Sequence, residues 1–238
     1  MLAASACAAA NYQSPSYGRR RALLQIAGAA LCSALLPVAT ATRPTGAETP
    51  VKIVALGDSL TAGLGLPEKD GFAPRLQAAL AASGIDAQVQ NAGVSGDTAA
   101  NGLARLDWSV PEGTDAVMLE LGANDMLRAI KPEVTQGALD AIVRRLTERH
   151  IEVLLCGMRA APNLGAEYGQ AFERIYPELA AKYNVLLYPF FLDGVAGDLR
   201  LLQHDGLHPT AKGIDTIVER ILPKVKELVA RVRAQRPM

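Results

Sequence analysis

Cysteine is scarce in this chain, with only Cys7, Cys32 and Cys156 among 238 residues. The first two lie in an N-terminal segment that we expect to be removed, so the mature chain would keep one thiol and could form no intrachain disulfide. The fold must then be stabilised by its hydrophobic core. Half of the residues are apolar, and a chain of this length can bury one substantial core, which predicts a single domain.

Neither sign of charge is in excess, because 24 Lys and Arg residues balance 24 Asp and Glu residues. The longest basic stretch is Arg19–Arg21, and a chain without a basic patch lacks the electrostatic footprint of DNA- and RNA-binding proteins. We therefore exclude nucleic acids as partners. Loss of residues 1–41 would leave 21 basic and 24 acidic residues, a net charge of about −3, and we expect a soluble mature chain.

The N-terminal segment has the features of a secretory signal. Arg19–Arg21 precede an uncharged apolar run, Ala22–Ala39, and the small residues Ala39-Thr40-Ala41 end that run as at a signal peptidase site. Three segments are predicted: a signal peptide at 1–41, a flexible mature N-terminus at 42–50 and a folded domain at 51–238.

An uncleaved membrane anchor is the alternative to cleavage. The apolar run has 18 residues and contains Gly28, Ser33 and Pro37, which makes it marginal for crossing about 30 Å of hydrocarbon. Arg20 and Arg21, followed by Ala-Leu-Leu, also resemble a twin-arginine signal, so general secretory and twin-arginine export both stay open. We expect a periplasmic or secreted protein whose mature chain has no stable membrane insertion.

Short apolar runs alternate with longer segments at helical spacing along the mature chain. The runs predict five strands, of which the second is the weakest: Val51–Leu56, Ala87–Gln90, Ala116–Leu121, Ile151–Leu155 and Val185–Tyr188. The longer segments predict four helices: Ala73–Ala82, Val134–Arg149, Tyr168–Tyr183 and Thr210–Arg233. This alternation favours an α/β fold, a flavodoxin-like three-layer sandwich whose five-stranded parallel sheet carries helices on both faces.

In such a sheet, ligands bind where the loops at the carboxyl ends of the strands converge. Three loops with polar side chains are expected at this edge: Gly57–Leu60, Gly122–Asp125 and Asp205–His208. The chemistry of the protein should therefore be found among their residues.

Ser59, His208 and Asp205 could form a nucleophilic site at this edge. A serine hydroxyl attacks only when a neighbouring base takes its proton, and that base needs a third group to orient it. Asp205 precedes His208 by three residues and could accept its Nδ1–H, which would leave Nε2 free to face Ser59. Each residue alone has a simpler interpretation: Ser59 as a helix cap or turn residue, and Asp205 with His208 as a local turn hydrogen bond.

A nucleophilic site of this kind needs an oxyanion hole. Asn124 offers a side-chain NH₂ group, and Gly96 can bring its backbone N–H close to a ligand, although it could equally be an ordinary turn glycine. Asp58 and Asp125 are expected to shape loops through hydrogen bonds, without titrating in the reaction. The sequence shows no cluster with metal-ligand spacing, so we predict no metal and no organic cofactor.

Four short motifs resemble, in order and spacing, those of the SGNH hydrolases, also called GDSL lipases and esterases. They are Gly57-Asp58-Ser59-Leu60, Ser95-Gly96-Asp97, Gly122-x-Asn124-Asp125 and Asp205-x-x-His208. The likeness extends from about Val51 to about Val225. It is closest to the bacterial periplasmic acyl-CoA thioesterase/lysophospholipase and arylesterase subgroup, through Gly102–Arg105 and Ile175–Leu179. The G-x-S-x-G elbow of α/β-hydrolases is absent from the sequence.

The resemblance implies a role for each motif residue. Ser59 would be the nucleophile, His208 its base and Asp205 the residue that orients the base. The N–H groups of Ser59 and Gly96, together with the Asn124 amide, would form the oxyanion hole.

The expected activity is hydrolysis of aryl or acyl esters through an acyl-enzyme, with thioesters and lysophospholipids as further substrates. The largely apolar loop Met158–Gly165 is expected to form one wall of the acyl pocket. A carbohydrate O-acetyl esterase on the same fold and a non-catalytic binding protein are the two alternatives.

Overall fold

A computed structural model describes residues 49–236 of the chain. The predicted signal peptide at 1–41 and most of the predicted segment at 42–50 lie outside the described residues, as do the last two residues. The described residues belong to one compact unit.

Five parallel strands form one sheet in the order β2-β1-β3-β4-β5. They are β1 (Val51–Gly57), β2 (Ala87–Gly93), β3 (Ala116–Glu120), β4 (Glu152–Cys156) and β5 (Leu186–Tyr188). Nearly every residue of β1, β3 and β4 is buried, as expected for apolar strands with helices on both faces. The five predicted strands are confirmed with ends shifted by at most three residues, and their order is that of flavodoxin-like folds.

The described residues contain four long and four short α-helices. The long helices are α2 (Phe72–Ala82), α6 (Pro132–Glu148), α7 (Ala166–Tyr183) and α8 (Ala211–Gln235), and all four were predicted to within two residues at each end. The short helices are α1 (Ser59–Ala62), α3 (Ala99–Ala104), α4 (Leu106–Ser109) and α5 (Ala123–Leu127). The sequence does not predict them, because four to six residues are too few to show a helical period.

The long helices form the outer layers of the sandwich. Helices α2 and α8 pack against each other, and α6 packs against both α3 and α7. In α8, apolar side chains recur every three or four positions and are buried against the sheet: Ile214, Ile217, Ile221, Val225 and Leu228. Within residues 49–236, no helix combines the length and the apolar character needed to cross a membrane.

The strand order brings three loops to one place. β1 lies between β2 and β3, and Gly57 at its end pairs with Gly93 of β2 and Glu120 of β3. The loops that leave these three strands therefore begin side by side, at the switch point where such sheets bind ligands. They carry Ser59, Gly96 and Asn124.

Candidate active site

Ser59 lies at the carboxyl edge of the sheet, directly after the first strand. β1 ends at Gly57, Asp58 caps the short helix α1, and Ser59 is the first residue of that helix. The Asp58 carboxylate accepts a hydrogen bond from the Leu60 N–H at 3.0 Å, which fixes the turn from strand to helix. A Cβ at Gly57 would overlap the Thr61 hydroxyl, so the close packing beneath this turn requires glycine.

The structure brings together the three residues that were predicted to be catalytic. Ser59 Oγ lies 2.8 Å from His208 Nε2, and His208 Nδ1 lies 2.6 Å from Asp205 Oδ2. The other Asp205 oxygen accepts hydrogen bonds from the backbone N–H groups of Leu207 at 2.9 Å and His208 at 3.0 Å. With its proton on Nδ1, the imidazole can accept the Ser59 proton at Nε2.

Asp205 is exposed, with 45% of its side chain accessible to solvent. The backbone N–H groups of His208 and Leu207 and the His208 ring hold the pKa of this carboxyl well below its usual range. The carboxylate is therefore ionised at neutral pH, which is the form that accepts the Nδ1–H.

Gly96 lies in the turn that follows β2. Its φ of +88° is in the left-handed region that favours glycine, and Arg128 donates a hydrogen bond to its carbonyl oxygen at 2.8 Å. The buried Arg105 fastens this turn to β1, since it pairs with Asp97 at 2.5 Å and donates to the Gly57 carbonyl oxygen at 2.8 Å. No described residue accepts a hydrogen bond from the Gly96 N–H, which leaves this donor free for a ligand.

Asn124 reaches the same edge from the loop after β3. It lies in the first turn of α5, and its NH₂ group donates a hydrogen bond to the Asp58 carboxylate at 3.1 Å. This bond uses one of the two amide hydrogens. Asn124, Ser59, Gly96 and His208 all line one cavity of about 300 Å³. The residues predicted for the oxyanion hole therefore surround the space in front of Ser59.

The rest of this cavity is apolar, and a second apolar cavity adjoins it. The first cavity is lined by side chains that include Leu60, Leu64, Met126, Leu127 and Leu192. The second, of about 260 Å³, shares Ala123, Met126, Leu192 and Leu207 with the first. Residues Met158–Pro162 of the loop predicted to wall the acyl pocket line the second cavity and do not reach the first.

Two buried carboxyl groups lie beneath the turn that carries Ser59. Asp58 is fully buried, and Glu120, the last residue of β3, is 2% exposed. Glu120 Oε2 accepts hydrogen bonds from the Thr61 hydroxyl at 2.7 Å and from the Asp58 N–H at 3.3 Å. Burial raises the pKa of Asp58 to about 6, and burial together with the Asp58 charge raises the pKa of Glu120 well above its usual value.

Glu120 was not among the residues expected from the sequence, and Asp58 was expected only to shape its loop. A carboxyl residue within a run of buried strand residues was the available signal for Glu120, since such groups are seldom fully buried without a partner. The predicted loop-shaping hydrogen bonds are confirmed: Asp58 caps α1, and Asp125 accepts from the Ala99 N–H at 2.8 Å and from the Thr135 hydroxyl at 3.0 Å. Burial, which the sequence did not reveal, brings the titration of Asp58 close to neutral pH.

Cys156, the last residue of β4, is fully buried, and burial raises the pKa of its thiol well above its usual value. It lines neither cavity, so the thiol is not placed to attack a ligand bound in front of Ser59. Among residues 49–236, no group of three or more His, Cys, Asp or Glu side chains is placed to hold a metal ion.

Comparison with known proteins gives a family match and several curated relatives. The model of the GDSL-like Lipase/Acylhydrolase family matches residues 55–215. Esterase TesA of Pseudomonas aeruginosa is 39% identical over 202 residues, which cover 84% of this chain and 99% of that protein. An arylesterase of Vibrio mimicus is 39% identical over 71% of this chain and 84% of its own length. Thioesterase 1/protease 1/lysophospholipase L1 of Escherichia coli K12 is 34% identical over 74% of this chain and 84% of its own length.

Solved structures with the same fold include two esterases. The SGNH-hydrolase family esterase AlinE4 superposes with a TM-score of 0.64 at 44% identity, covering 75% of this chain and 96% of AlinE4. The psychrotrophic esterase EstA of Pseudoalteromonas, in a structure inhibited by monoethylphosphonate, superposes with a TM-score of 0.72 at 31% identity, covering 76% of this chain and 99% of EstA.

Proposed function

This chain belongs to the GDSL-like lipase/acylhydrolase family and is an ester-hydrolysing enzyme, and from that premise we propose that Ser59, His208 and Asp205 carry out the hydrolysis. The observation that carries the proposal is the pair of contacts made by the imidazole, 2.8 Å from Ser59 Oγ and 2.6 Å from Asp205 Oδ2. A base held on both sides in this way can activate a serine hydroxyl that would otherwise react slowly.

The proposed reaction has two steps. Ser59 Oγ attacks the ester carbonyl carbon while His208 Nε2 takes the hydroxyl proton, and His208 then gives that proton to the departing alcohol. An acyl group remains on Ser59. Water attacks this acyl-enzyme with His208 again as the base, which releases the acid and restores the serine.

Negative charge develops on the carbonyl oxygen in both steps. The proposed donors to this oxyanion are the Ser59 N–H, the Gly96 N–H and the second hydrogen of the Asn124 amide. Donors fixed in advance stabilise the transition state without rearranging, so the loss of one typically costs about 10²- to 10³-fold in kcat. The hydrogen bonds of Arg128 to Gly96 and of Asn124 to Asp58 support this role, because they fix the backbone and side chain that would donate.

The proposed substrates are esters and thioesters with an apolar acyl or aryl group. Both cavities are lined largely by Leu, Met and Ala side chains, with Phe190 in the second, and such a lining suits a hydrocarbon chain or an aromatic ring better than a sugar. The names of the curated relatives, esterase, arylesterase and thioesterase/lysophospholipase, support the same range. Arg159 lies at the rim of the second cavity, with its guanidinium 4.8 Å from the centroid of the Phe190 ring.

A panel of p-nitrophenyl esters, matched thioesters and acetylated sugars tests the proposed function. We expect kcat/KM to rise by up to roughly fourfold for each added methylene until the cavity is full, because burial of one CH₂ is worth about 0.8 kcal/mol. Ser59→Ala should lower kcat for every substrate in the panel by about 10³-fold or more. Acetylated sugars as the best substrates would favour the carbohydrate esterase instead, and full activity in folded Ser59→Ala would contradict the mechanism.

We also propose that the enzyme works outside the cytoplasm, on the basis of Arg19–Arg21, the apolar run and Ala39-Thr40-Ala41. N-terminal sequencing of the protein recovered from the periplasm or the medium should give a chain that starts at Thr42. A chain that still starts at Met1 would contradict cleavage.

A further inference from the structure

The Asp58 carboxylate connects two parts of the site that lie far apart in the sequence. One of its oxygens accepts the Leu60 N–H at 3.0 Å, which ties it to the turn that carries Ser59. The other accepts the Asn124 NH₂ at 3.1 Å, which ties it to the loop after β3. Asp58 is fully buried, so water does not compete for either oxygen. The Asn124 amide is therefore oriented by the side chain of Asp58, the residue that directly precedes Ser59.

The charge of this carboxylate determines which end of the Asn124 amide faces it. An ionised carboxylate can only accept hydrogen bonds, whereas an amide has a donating NH₂ end and an accepting oxygen. The NH₂ end is therefore attracted to ionised Asp58, and the oxygen end is repelled. A protonated Asp58 could donate to the amide oxygen instead. Turning the amide in this way would bring a carbonyl oxygen to the position from which Asn124 is proposed to donate.

We propose that ionised Asp58 is a positioning residue of the oxyanion hole, which holds the Asn124 amide so that its second hydrogen stays available to the substrate carbonyl oxygen. This inference rests on the proposed function, in which the Asn124 amide donates a hydrogen bond to the oxyanion. Asp58 acts through Asn124 and does not itself touch the substrate.

The surroundings of Asp58 make its ionisation sensitive to pH. Burial raises its pKa to about 6, although the Leu60 N–H and the Asn124 amide both favour the charged form. The titratable and charged groups that face it come from four other parts of the fold: Glu120 on β3, Asp97 with its partner Arg105 after β2, His208 before α8 and Tyr176 on α7. The oxyanion hole should therefore weaken as the pH falls through about 6.

Asp58→Asn is the variant that removes the charge and keeps the shape. Its oxygen can still accept the Leu60 N–H, which leaves its NH₂ group facing Asn124 and favours the turned amide. We expect kcat on a p-nitrophenyl ester to fall by about 10²-fold with little change in KM, as for the loss of one oxyanion donor. Asp140→Asn makes the same change on the outer surface, where Asp140 pairs with Lys182, and should leave kcat within about twofold of wild type.

Two further measurements distinguish positioning from general damage. The double variant Asp58→Asn/Asn124→Ala should be no slower than the slower single variant, because both changes remove the same donor. The ratio of wild-type kcat to that of Asn124→Ala should also fall about tenfold between pH 7 and pH 5, as Asp58 becomes protonated in the wild type. This ratio cancels every pH effect that the two proteins share. It needs no change at Asp58, so it still tests the proposal if Asp58→Asn fails to fold.

The inference is contradicted if folded Asp58→Asn keeps wild-type kcat, if the two single effects multiply in the double variant, or if the ratio to Asn124→Ala does not change with pH. Each of these results is separate from failure of the proposed function. That failure would appear as activity in Ser59→Ala, measured on the same ester.

Discussion

The two sides of the site hold their charged groups in opposite ways. On the exposed side, Asp205 and His208 belong to one short loop, and the hydrogen bonds of Asp205 stay within three residues of it. On the buried side, Asp58 and Glu120 join elements that are about sixty residues apart in the sequence. The pKa of the exposed carboxyl lies well below its usual range, whereas burial raises the pKa of both buried carboxyls.

The two sides of the site therefore contribute differently to catalysis and to the stability of the fold. None of the residues Asp205–His208 belongs to the buried core, so changes in this loop should affect catalysis more than the stability of the fold. The buried side is part of the core, and a change there alters folding, the position of Ser59 and the pH dependence together. Three variants test this division.

His208→Ala should have the largest effect, and chiefly on activity. We expect kcat to fall by at least about 10³-fold, because no other base contacts Ser59 among the described residues. The free energy of unfolding, measured by urea denaturation, should fall by only about 0.5–1.5 kcal/mol, because the exposed Asp205 can bond to water instead and the part-buried bond to Ser59 is the main loss. A large loss of stability would show that the loop supports the fold, and the two sides would then not be separable.

Arg105→Ala should have a large effect on stability. Its guanidinium is buried with Asp97, Ser109 and the Gly57 carbonyl oxygen as partners, and removal leaves these groups unpaired. Breaking a buried ion pair typically costs about 3–5 kcal/mol. The matched control is Arg145→Ala, whose ion pair with Asp107 is exposed and should contribute about 0–1 kcal/mol. The free energy of unfolding of both variants is measured by urea denaturation. Equal losses of this free energy would contradict the distinction between buried and exposed charge.

Glu120→Gln should have the smallest effect, and one that depends on pH. The raised pKa of Glu120 means that the folded protein keeps a proton that the unfolded chain releases above its usual pKa of 4.5. Wild-type stability therefore falls as the pH rises above that value, and this contribution is absent in the glutamine variant. We expect the unfolding free energy of Glu120→Gln to increase relative to wild type from pH 5 to pH 8. Parallel stability curves would mean that Glu120 is not neutral in the fold.

The same contrast explains which features the sequence predicts. Asp205 and His208 are close in the chain, so their hydrogen bond follows from local spacing, and the strands and long helices follow from apolar runs and helical periods. The convergence of Ser59 and Asn124 follows from the rule that loops at the carboxyl ends of parallel strands meet.

The buried side could not be predicted in the same way. The bonds from Glu120 to Thr61 and from Asn124 to Asp58 depend on the register of β1 against β3, which the sequence pattern does not specify. The role of Arg105 as the residue that fastens the Gly96 turn to β1 also appears only in three dimensions. The four short helices were not predicted because each is too short to show a periodic pattern.

Covalent labelling tests most directly the central claim that Ser59 is the activated nucleophile. Wild-type protein is incubated with a p-nitrophenyl alkylphosphonate, and the modified peptide is identified by mass spectrometry. We predict one phosphonyl group on Ser59, the release of one equivalent of p-nitrophenolate and a parallel loss of esterase activity, with no label on Ser59→Ala and slow labelling of His208→Ala. Complete inactivation with the label on any other residue, or equal labelling of folded Ser59→Ala, would contradict the claim.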